Sequence, residues 1–147
     1  MFSSERHELR QFFVDCYEKM QQNLDLTPLE IQVAEVIATH PEYHQYLRNE
    51  AALEQNFIPE LGQANPFLHM SLHLSIQEQV GTDRPAGIRA IYQTLCQHFG
   101  QQETEHQMME PLMEQLWRSM KQGTLPDEVE YLAALATLLQ TVSRKPL

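Results

Sequence analysis

The chain has 147 residues, of which 42% are hydrophobic, and this length and composition are typical of one globular domain. Its formal charge of −10 and its 10 scattered basic residues argue against a nucleic-acid partner, because phosphate binding needs clustered lysine and arginine. No apolar run approaches the length of about 18 residues that crosses a membrane, and the N-terminal residues lack the apolar core of a signal peptide. We therefore expect an acidic cytoplasmic protein that has no membrane partner.

The predicted elements are helices, because apolar residues recur at helical spacing nearly everywhere and no stretch alternates as a strand would. The first helix is predicted from about Ser4 to about Met20. Thr27-Pro28-Leu29-Glu30 is a capping box with proline in the first turn, and it predicts the start of a second helix that Pro41 ends. A short helix is predicted over 42–49, followed by a loop or half-helix over 51–64.

The second half of the chain is also predicted to be helical. Asn65 caps a helix that runs to about Val80, and Pro85 opens another that runs to about Phe99. After Gly100 a long helix is predicted over about Glu103–Lys121, and the last helix over Asp127–Val142. These elements predict an all-α fold, a single-domain antiparallel helical bundle of about five main helices plus a short one.

The apolar positions of each helix predict its buried face. The predicted buried residues of the first two helices are Leu9, Phe12, Phe13, Cys16, Tyr17 and Met20, then Leu29, Val33, Val36, Ile37 and His40. Those of the long helix and the last helix are Met108, Met109, Leu112, Met113, Leu116, Trp117 and Met120, then Val129, Leu132, Ala133, Ala136 and Leu139. Cys16 and Cys96, far apart in the sequence, are predicted to be small buried hydrophobes rather than a disulfide.

Several histidines lie inside these apolar faces. His69 and His73 are four residues apart in the middle of the apolar arc of the helix that Asn65 caps, so their rings share one face. His106 lies in the apolar face of the long helix, and Glu110 follows it by four residues at the edge of that face. His40 and His44 show the same spacing with Pro41 between them. Buried imidazoles either bind a metal ion or need hydrogen-bond partners.

The first interpretation of these histidines is a metal site in the core of the bundle. His69 and His73 would supply two ligands and His106 a third, a set that suits catalytic zinc because one position stays open. Glu110 as an oxygen donor would favour iron, manganese or nickel, and His44 or His40 would complete or replace a ligand. No glycine-rich phosphate loop is present, so no nucleotide or organic cofactor is indicated.

Other interpretations stay open at this point. The second interpretation is that the histidines form a hydrogen-bonded structural core in a non-enzymatic helical interaction module, with a protein partner or a second copy docked on an exposed helix. A third reading is a core that responds to pH, because imidazole titrates near neutrality. On the metal interpretation the protein is a metal-dependent hydrolase or transferase of unassigned substrate.

Part of the sequence resembles a known family. The motifs are His40-Pro41-Glu42-Tyr43-His44, then 65–74 (NPFLHMSLHL) with Glu78-Gln79, then Glu105-His106-Gln107-Met108-Met109. They resemble the bacterial domain-of-unknown-function family DUF1841 over most of the chain. The resemblance implies one small protein and supplies no reaction and no set of site residues. DinB-like and hemerythrin-like bundles are similar only in carrying histidines on helices, and their histidine patterns do not match this one.

Overall fold

The computed structural model describes residues 2–57 and 65–143, and all the regular elements in these two ranges are helical. The prediction of an all-α fold is confirmed. The α-helices are α1 (Phe2–Gln21), α2 (Pro28–Ala38), α3 (His44–Leu47), α4 (Pro66–Thr82), α5 (Ile88–Gln122) and α6 (Glu128–Ser143). Short 3₁₀ helices occupy Pro41–Tyr43 and Glu50–Leu53, where a short helix and an irregular segment were predicted. The rest of the predicted loop, 58–64, lies outside the described residues.

Side-chain caps set the helix starts that the sequence predicts. The Thr27 hydroxyl accepts from the Glu30 backbone N–H at 3.2 Å, and the Glu30 carboxylate accepts from the Thr27 N–H at 2.9 Å. Asn65 Oδ1 accepts from the Leu68 N–H at 3.1 Å, at the start of α4. Both predicted caps are confirmed, because each depends only on residues that are neighbours in the sequence.

The predicted break at Gly100 is confirmed as an interruption inside α5. Gly100 has φ 80° and ψ 166°, so the helical segments before and after it meet at a kink. The start of α5 differs from the prediction, since it lies at Ile88 rather than at Pro85. Asp83 explains this difference, because its carboxylate accepts from the Gly87 and Arg89 backbone N–H groups and so caps the helix further along the chain.

The chain divides into two compact units, Met1–Leu74 and Ser75–Leu147, and the division falls inside α4. The prediction of a single domain stays a prediction. None of the helices in the described ranges is long and apolar enough to cross a membrane.

The first unit has a core built from α1, α2 and the first turns of α4, with Phe13, Tyr17, Val36, Ile37 and Phe67 among its members. Two residues that were predicted to be buried are exposed instead: Leu9 by 47% and Leu29 by 58%. Glu30 explains the second error, because its carboxylate is held by the capping box and by Lys19. With Glu30 turned inward, its neighbour Leu29 lies toward solvent.

A buried arginine, which the hydrophobic pattern of α1 does not predict, is a further part of this core. Arg10 is 2% exposed, and this explains why its neighbour Leu9 lies outside. Its Nη1 donates to three backbone carbonyls and its guanidinium lies over two rings: the carbonyls are those of Ala52, Leu53 and Gln55, and the rings are those of Phe57 and Phe67. Arg10 therefore fixes the 3₁₀ helix that ends at Leu53 against α1.

In the second unit α6 packs on α5, and Tyr131 and Leu135 are the buried residues of α6. The buried face predicted for α6 is wrong: Val129 is 81% exposed, and Ala133 and Ala136 are also exposed. The observed buried face is rotated around the helix axis by about one residue from the predicted one. Tyr131 accounts for this rotation, because its hydroxyl donates to Gln79 Oε1 at 2.7 Å and its ring is buried. Leu132 and Leu139 are half-buried.

The face of α5 is also corrected. Met108, Met109 and Leu112 are buried as predicted, but four apolar residues predicted to accompany them are exposed: Met113, Leu116, Trp117 and Met120. The helical wheel merges two apolar faces of α5 into one, because it carries no information on which side faces a neighbouring helix.

Candidate metal centre

Three histidines of the first unit lie together, one at the end of α2 and two on α4. His40 follows the last turn of α2 directly, and His69 and His73 are one turn apart on α4. His40 is 3% exposed and His73 is 1% exposed, while His69 is half-buried. One ring nitrogen of each residue lies within 4.8 Å of those of the other two. This arrangement could hold a metal ion.

The three rings converge at nearly equal spacing. Their centroids are 5.0 Å apart for His40 and His69, 4.7 Å for His40 and His73, and 4.9 Å for His69 and His73. The rings are tilted by 56° to 74° to one another rather than stacked. The Nε2 atoms of His69 and His73 are 3.3 Å apart. Two nitrogens so close either share a proton or face one cation.

The ring of His40 is oriented by the carboxyl end of α2. Its Nδ1 lies 2.7 Å from the Val36 carbonyl oxygen and 3.1 Å from the Thr39 hydroxyl, which itself donates to the same carbonyl at 2.8 Å. Because a carbonyl oxygen only accepts, His40 Nδ1 carries the hydrogen of this bond. In the neutral ring Nε2 then has the lone pair that a metal ion needs.

Tyr43 covers one side of the histidine cluster. Its ring is parallel to that of His40, at 1° and 5.4 Å, and meets the ring of His69 edge-on at 5.7 Å. Burial raises the pKa of the Tyr43 phenol, and the nearby Glu42 and Tyr46 raise it further. Tyr43 therefore stays a neutral phenol at physiological pH and adds apolar ring surface rather than a charge to the site.

His44, one of the predicted ligands, is not a member of this cluster. Its Nε2 donates to the Ile37 carbonyl at 2.9 Å, and its ring packs against Tyr17 with centroids 5.0 Å apart. The Ile37 carbonyl and Tyr17 therefore set the direction of the His44 ring. Its role as a ligand stays a prediction.

The two other predicted ligands, His106 and Glu110, lie on α5 in the second unit. Both are exposed, whereas the sequence analysis expected His106 inside the buried face of its helix. That expectation of burial is wrong for the same reason as for Met113 and Trp117: the apolar residues around His106 belong to a face of α5 that meets solvent. Their assignment as ligands stays a prediction.

A buried carboxylate, Glu105, is a polar centre of the second unit that the sequence analysis did not single out. It is fully buried and accepts from Gln77 at 3.1 Å, from the Tyr92 hydroxyl at 2.6 Å and from Gln101 at 3.1 Å. Burial and the bond to Glu105 raise the pKa of Tyr92. The sequence offered no clear signal, because Glu105 stands in the polar stretch 101–107 and a charged residue is rarely buried unless it is paired.

Cys16 and Cys96 are both free thiols, as expected, with Cys16 buried and Cys96 half-buried. Burial, reinforced by the nearby Glu30 carboxylate, raises the pKa of Cys16 to about 11. The thiol therefore stays protonated at neutral pH and is a poor nucleophile.

Comparison with known proteins gives one match. A family model described as "Domain of unknown function (DUF1841)" matches residues 5–137. No curated protein and no solved structure matches the chain.

Proposed function

The chain belongs to the DUF1841 family, and on the geometry of His40, His69 and His73 we propose that it binds a divalent transition-metal ion, zinc in the first place. The family description carries no chemistry, so the proposal depends on the histidines alone. Iron or manganese is the next choice, since imidazole ligands suit these ions as well.

The separation of 3.3 Å between His69 Nε2 and His73 Nε2 is the observation that carries the proposal. In a tetrahedral zinc site with zinc–nitrogen bonds of about 2.0–2.1 Å, two ligand nitrogens lie about 3.3–3.4 Å apart. An N–H···O hydrogen bond is usually shorter, at about 2.9–3.0 Å. The separation of the two imidazoles therefore matches the spacing of two nitrogens bound to one ion.

The tautomer of His40 supports the same reading. A ligating histidine usually donates its other ring N–H to a carbonyl or carboxylate, which fixes the ring and its proton. His40 does this through Nδ1 and Val36, so that its Nε2 is the third lone-pair donor. Three neutral imidazoles bind zinc without cancelling its charge, and the ion therefore remains a strong Lewis acid.

His40, His69 and His73 would hold a zinc ion with one position open, which is the ligand pattern of hydrolytic zinc sites. The ion would supply Lewis-acid activation of water at neutral pH. We extend the proposal in this sense to a metal-dependent hydrolase or transferase, with no substrate assigned.

The second candidate is a non-enzymatic interaction module in which the histidines form a structural network. The bond between His40 Nδ1 and Val36 favours it, because such a bond stabilises a buried imidazole without any ion. The two candidates differ in what the loss of His69 does. The metal site predicts lost metal with the fold kept, and the network predicts lost stability with no metal to lose.

The test is elemental analysis by mass spectrometry of the untagged full chain, expressed without added metal and never exposed to a nickel column. We expect about one zinc ion per chain in the wild type and almost none in His69→Ala. His40→Asn is the sharper variant. The asparagine amide can still donate to the Val36 carbonyl but has no atom at the position of Nε2, so the metal is lost while the helix end is kept.

The matched control is His98→Ala, which removes an exposed histidine and should retain the metal. His106→Ala, Glu110→Ala and His44→Ala, measured in the same way, test the remaining predicted ligands. Wild-type protein that is free of metal and takes up no added zinc would contradict the proposal. If His69→Ala then also lowered the free energy of unfolding, the structural network would be the function of these histidines.

A further inference from the structure

The exposed apolar side chains of α5 form one stripe along the helix. Met113, Leu116, Trp117 and Met120 follow the spacing i, i+3, i+4, i+7 and are exposed by 48%, 41%, 56% and 84%. We call these four residues the α5 stripe. A groove of about 470 Å³ runs beside it, lined by His106, Met109, Glu110, Met113, Glu114 and Trp117. Large exposed apolar residues in such a row mark a surface that another helix covers.

Charged residues along one flank of the stripe are separated by sign. Glu110 and Glu114 lie toward its start, and Arg118 and Lys121 lie toward its end. At 3.6 residues per turn, the four positions fall within about 80° of one another around the helix, so they share a flank. Arg118 pairs with Glu114 at 2.9 Å and with Glu130, and Lys121 Nζ lies 4.6 Å above the ring of Trp117.

We propose that the α5 stripe is a docking surface for a second copy of this chain, in which the two α5 helices pack antiparallel about a two-fold axis. In an antiparallel pair each flank meets its own counterpart in reverse order, so the acidic start of one flank faces the basic end of the other. In a parallel pair this flank would instead face the opposite flank of the partner helix, so its acidic and basic ends would not meet. The charge order of α5 is therefore complementary to itself in the antiparallel pair with a second copy.

The apolar residues fit the same pairing. An axis that passes between Leu116 and Trp117 brings Met113 of one copy against Met120 of the other, and Leu116 against Trp117. Each stripe is thus covered by large apolar side chains along its length, with an aromatic residue near the centre. The stripe is short compared with the interfaces of permanent dimers, so the expected dimer dissociates on dilution.

Sedimentation velocity of the full chain over a series of concentrations tests this inference. We expect a monomer–dimer equilibrium in the wild type and a dissociation constant about tenfold higher or more for Met113→Asp. Ile31→Asp is the matched control, because Ile31 is 47% exposed, lies on α2 and is outside the stripe. Circular dichroism checks that each variant keeps its helix content.

A double charge reversal tests the direction of the helices. Glu110→Lys and Lys121→Glu should each weaken the dimer, and the double variant should restore it, since the pair between copies is re-formed with its signs exchanged. A wild type that stays monomeric overturns the proposal and leaves the stripe to a different protein. A dimer that tolerates Met113→Asp overturns it as well, because the interface then lies elsewhere. The metal proposal rests on His40, His69 and His73, which the dimer variants leave unchanged, and Met113→Asp tests the dimer without touching a predicted ligand, so either proposal can fail alone.

Discussion

At the scale of single residues, two backbone carbonyls at the end of α2 orient two imidazoles. The last four carbonyls of an α-helix lack their regular partners within the helix, and Pro41 has no N–H to offer them. The Val36 carbonyl accepts from His40 Nδ1, and the Ile37 carbonyl accepts from both the His40 backbone N–H and His44 Nε2. The two rings are thereby fixed in opposite tautomers, and the His44 ring packs against Tyr17 while the His40 ring lies beside His69 and His73.

The orientation of these rings is the part of the candidate site that could not be predicted from the sequence. A helical wheel assigns His69 and His73 to one face of α4 correctly, because both belong to one regular helix. It says nothing about His40 and His44, whose directions depend on a helix end and a following 3₁₀ helix. The capping box at Thr27 was predictable for the opposite reason, since all its atoms lie within four consecutive residues.

The capping box also predicts how stability depends on pH. Hydrogen bonding to Lys19, at 2.5 Å, and to the Thr27 backbone lowers the pKa of Glu30 from 4.5 to about 2. A carboxyl whose pKa is lower in the folded state stabilises the fold above its ordinary pKa, and this contribution is lost as the pH falls from about 4.5 to about 2. We expect Glu30→Gln to be less stable than the wild type at pH 7 and equal to it near pH 2.

Urea unfolding at pH 7, 4 and 2 measures this difference. The control is Glu35→Gln, an exposed glutamate of α2 that makes no capping bond, and it should change stability little at any pH. A Glu30→Gln variant that lost the same stability at pH 2 as at pH 7 would show that packing, and not the charge of Glu30, is what the substitution removes.

At the scale of helices, the positions of the elements were predictable and their rotation was not. Proline, glycine and capping residues mark helix ends within a few residues, so α2, α4 and the break in α5 were located correctly. Which side of a helix is buried depends on its neighbours. On α5 the methionines occupy two faces, with Met108 in the core and Met113 in solvent. Both faces are apolar, so the sequence does not distinguish them.

The kink in α5 predicts opposite effects for two glycines. Gly100 has φ 80° and ψ 166°, a conformation that essentially only glycine adopts, whereas Gly81 has an ordinary negative φ in α4. An added Cβ meets no atom within 4 Å at either position, so only the backbone distinguishes them. We expect Gly100→Ala to lower the free energy of unfolding by about 1–3 kcal/mol through backbone strain.

Gly81→Ala is the control for this experiment, and it should raise the free energy of unfolding by about 0.5–1 kcal/mol because alanine favours the helix. Chemical denaturation of both variants gives the two values. Equal effects of the same sign would mean that α5 straightens at Gly100 without cost, and that the kink is not required by the fold.

At the scale of the whole molecule, the metal proposal predicts that zinc stabilises the first compact unit, which holds His40, His69 and His73. The cluster joins the end of α2 to α4, and these residues all belong to Met1–Leu74. A ligand that binds only the folded state stabilises it by an amount that grows with its concentration. Zinc should therefore protect this unit against local opening. The expectation of no nucleic-acid partner, based on a net charge of −10, stays a prediction, and so does the expectation of a cytoplasmic location.

Hydrogen exchange with and without zinc measures that protection. With zinc at about 100 times its dissociation constant, amide groups of α2 and of α4 up to Leu74 should exchange up to about 100-fold more slowly. The same measurement on His69→Ala should show no effect of zinc. Added protection around His106 would support its predicted role as a ligand, and unchanged exchange throughout the wild type would contradict the metal proposal.

Trp117 is the one tryptophan of the sequence, and it is 56% exposed on the α5 stripe with Lys121 above its ring. All indole fluorescence of this protein therefore originates from a single, water-facing chromophore. Its emission maximum and its quenching by acrylamide report on the polarity of that surface alone, without any attached dye. A change in this emission would therefore report directly that another molecule has covered the α5 stripe.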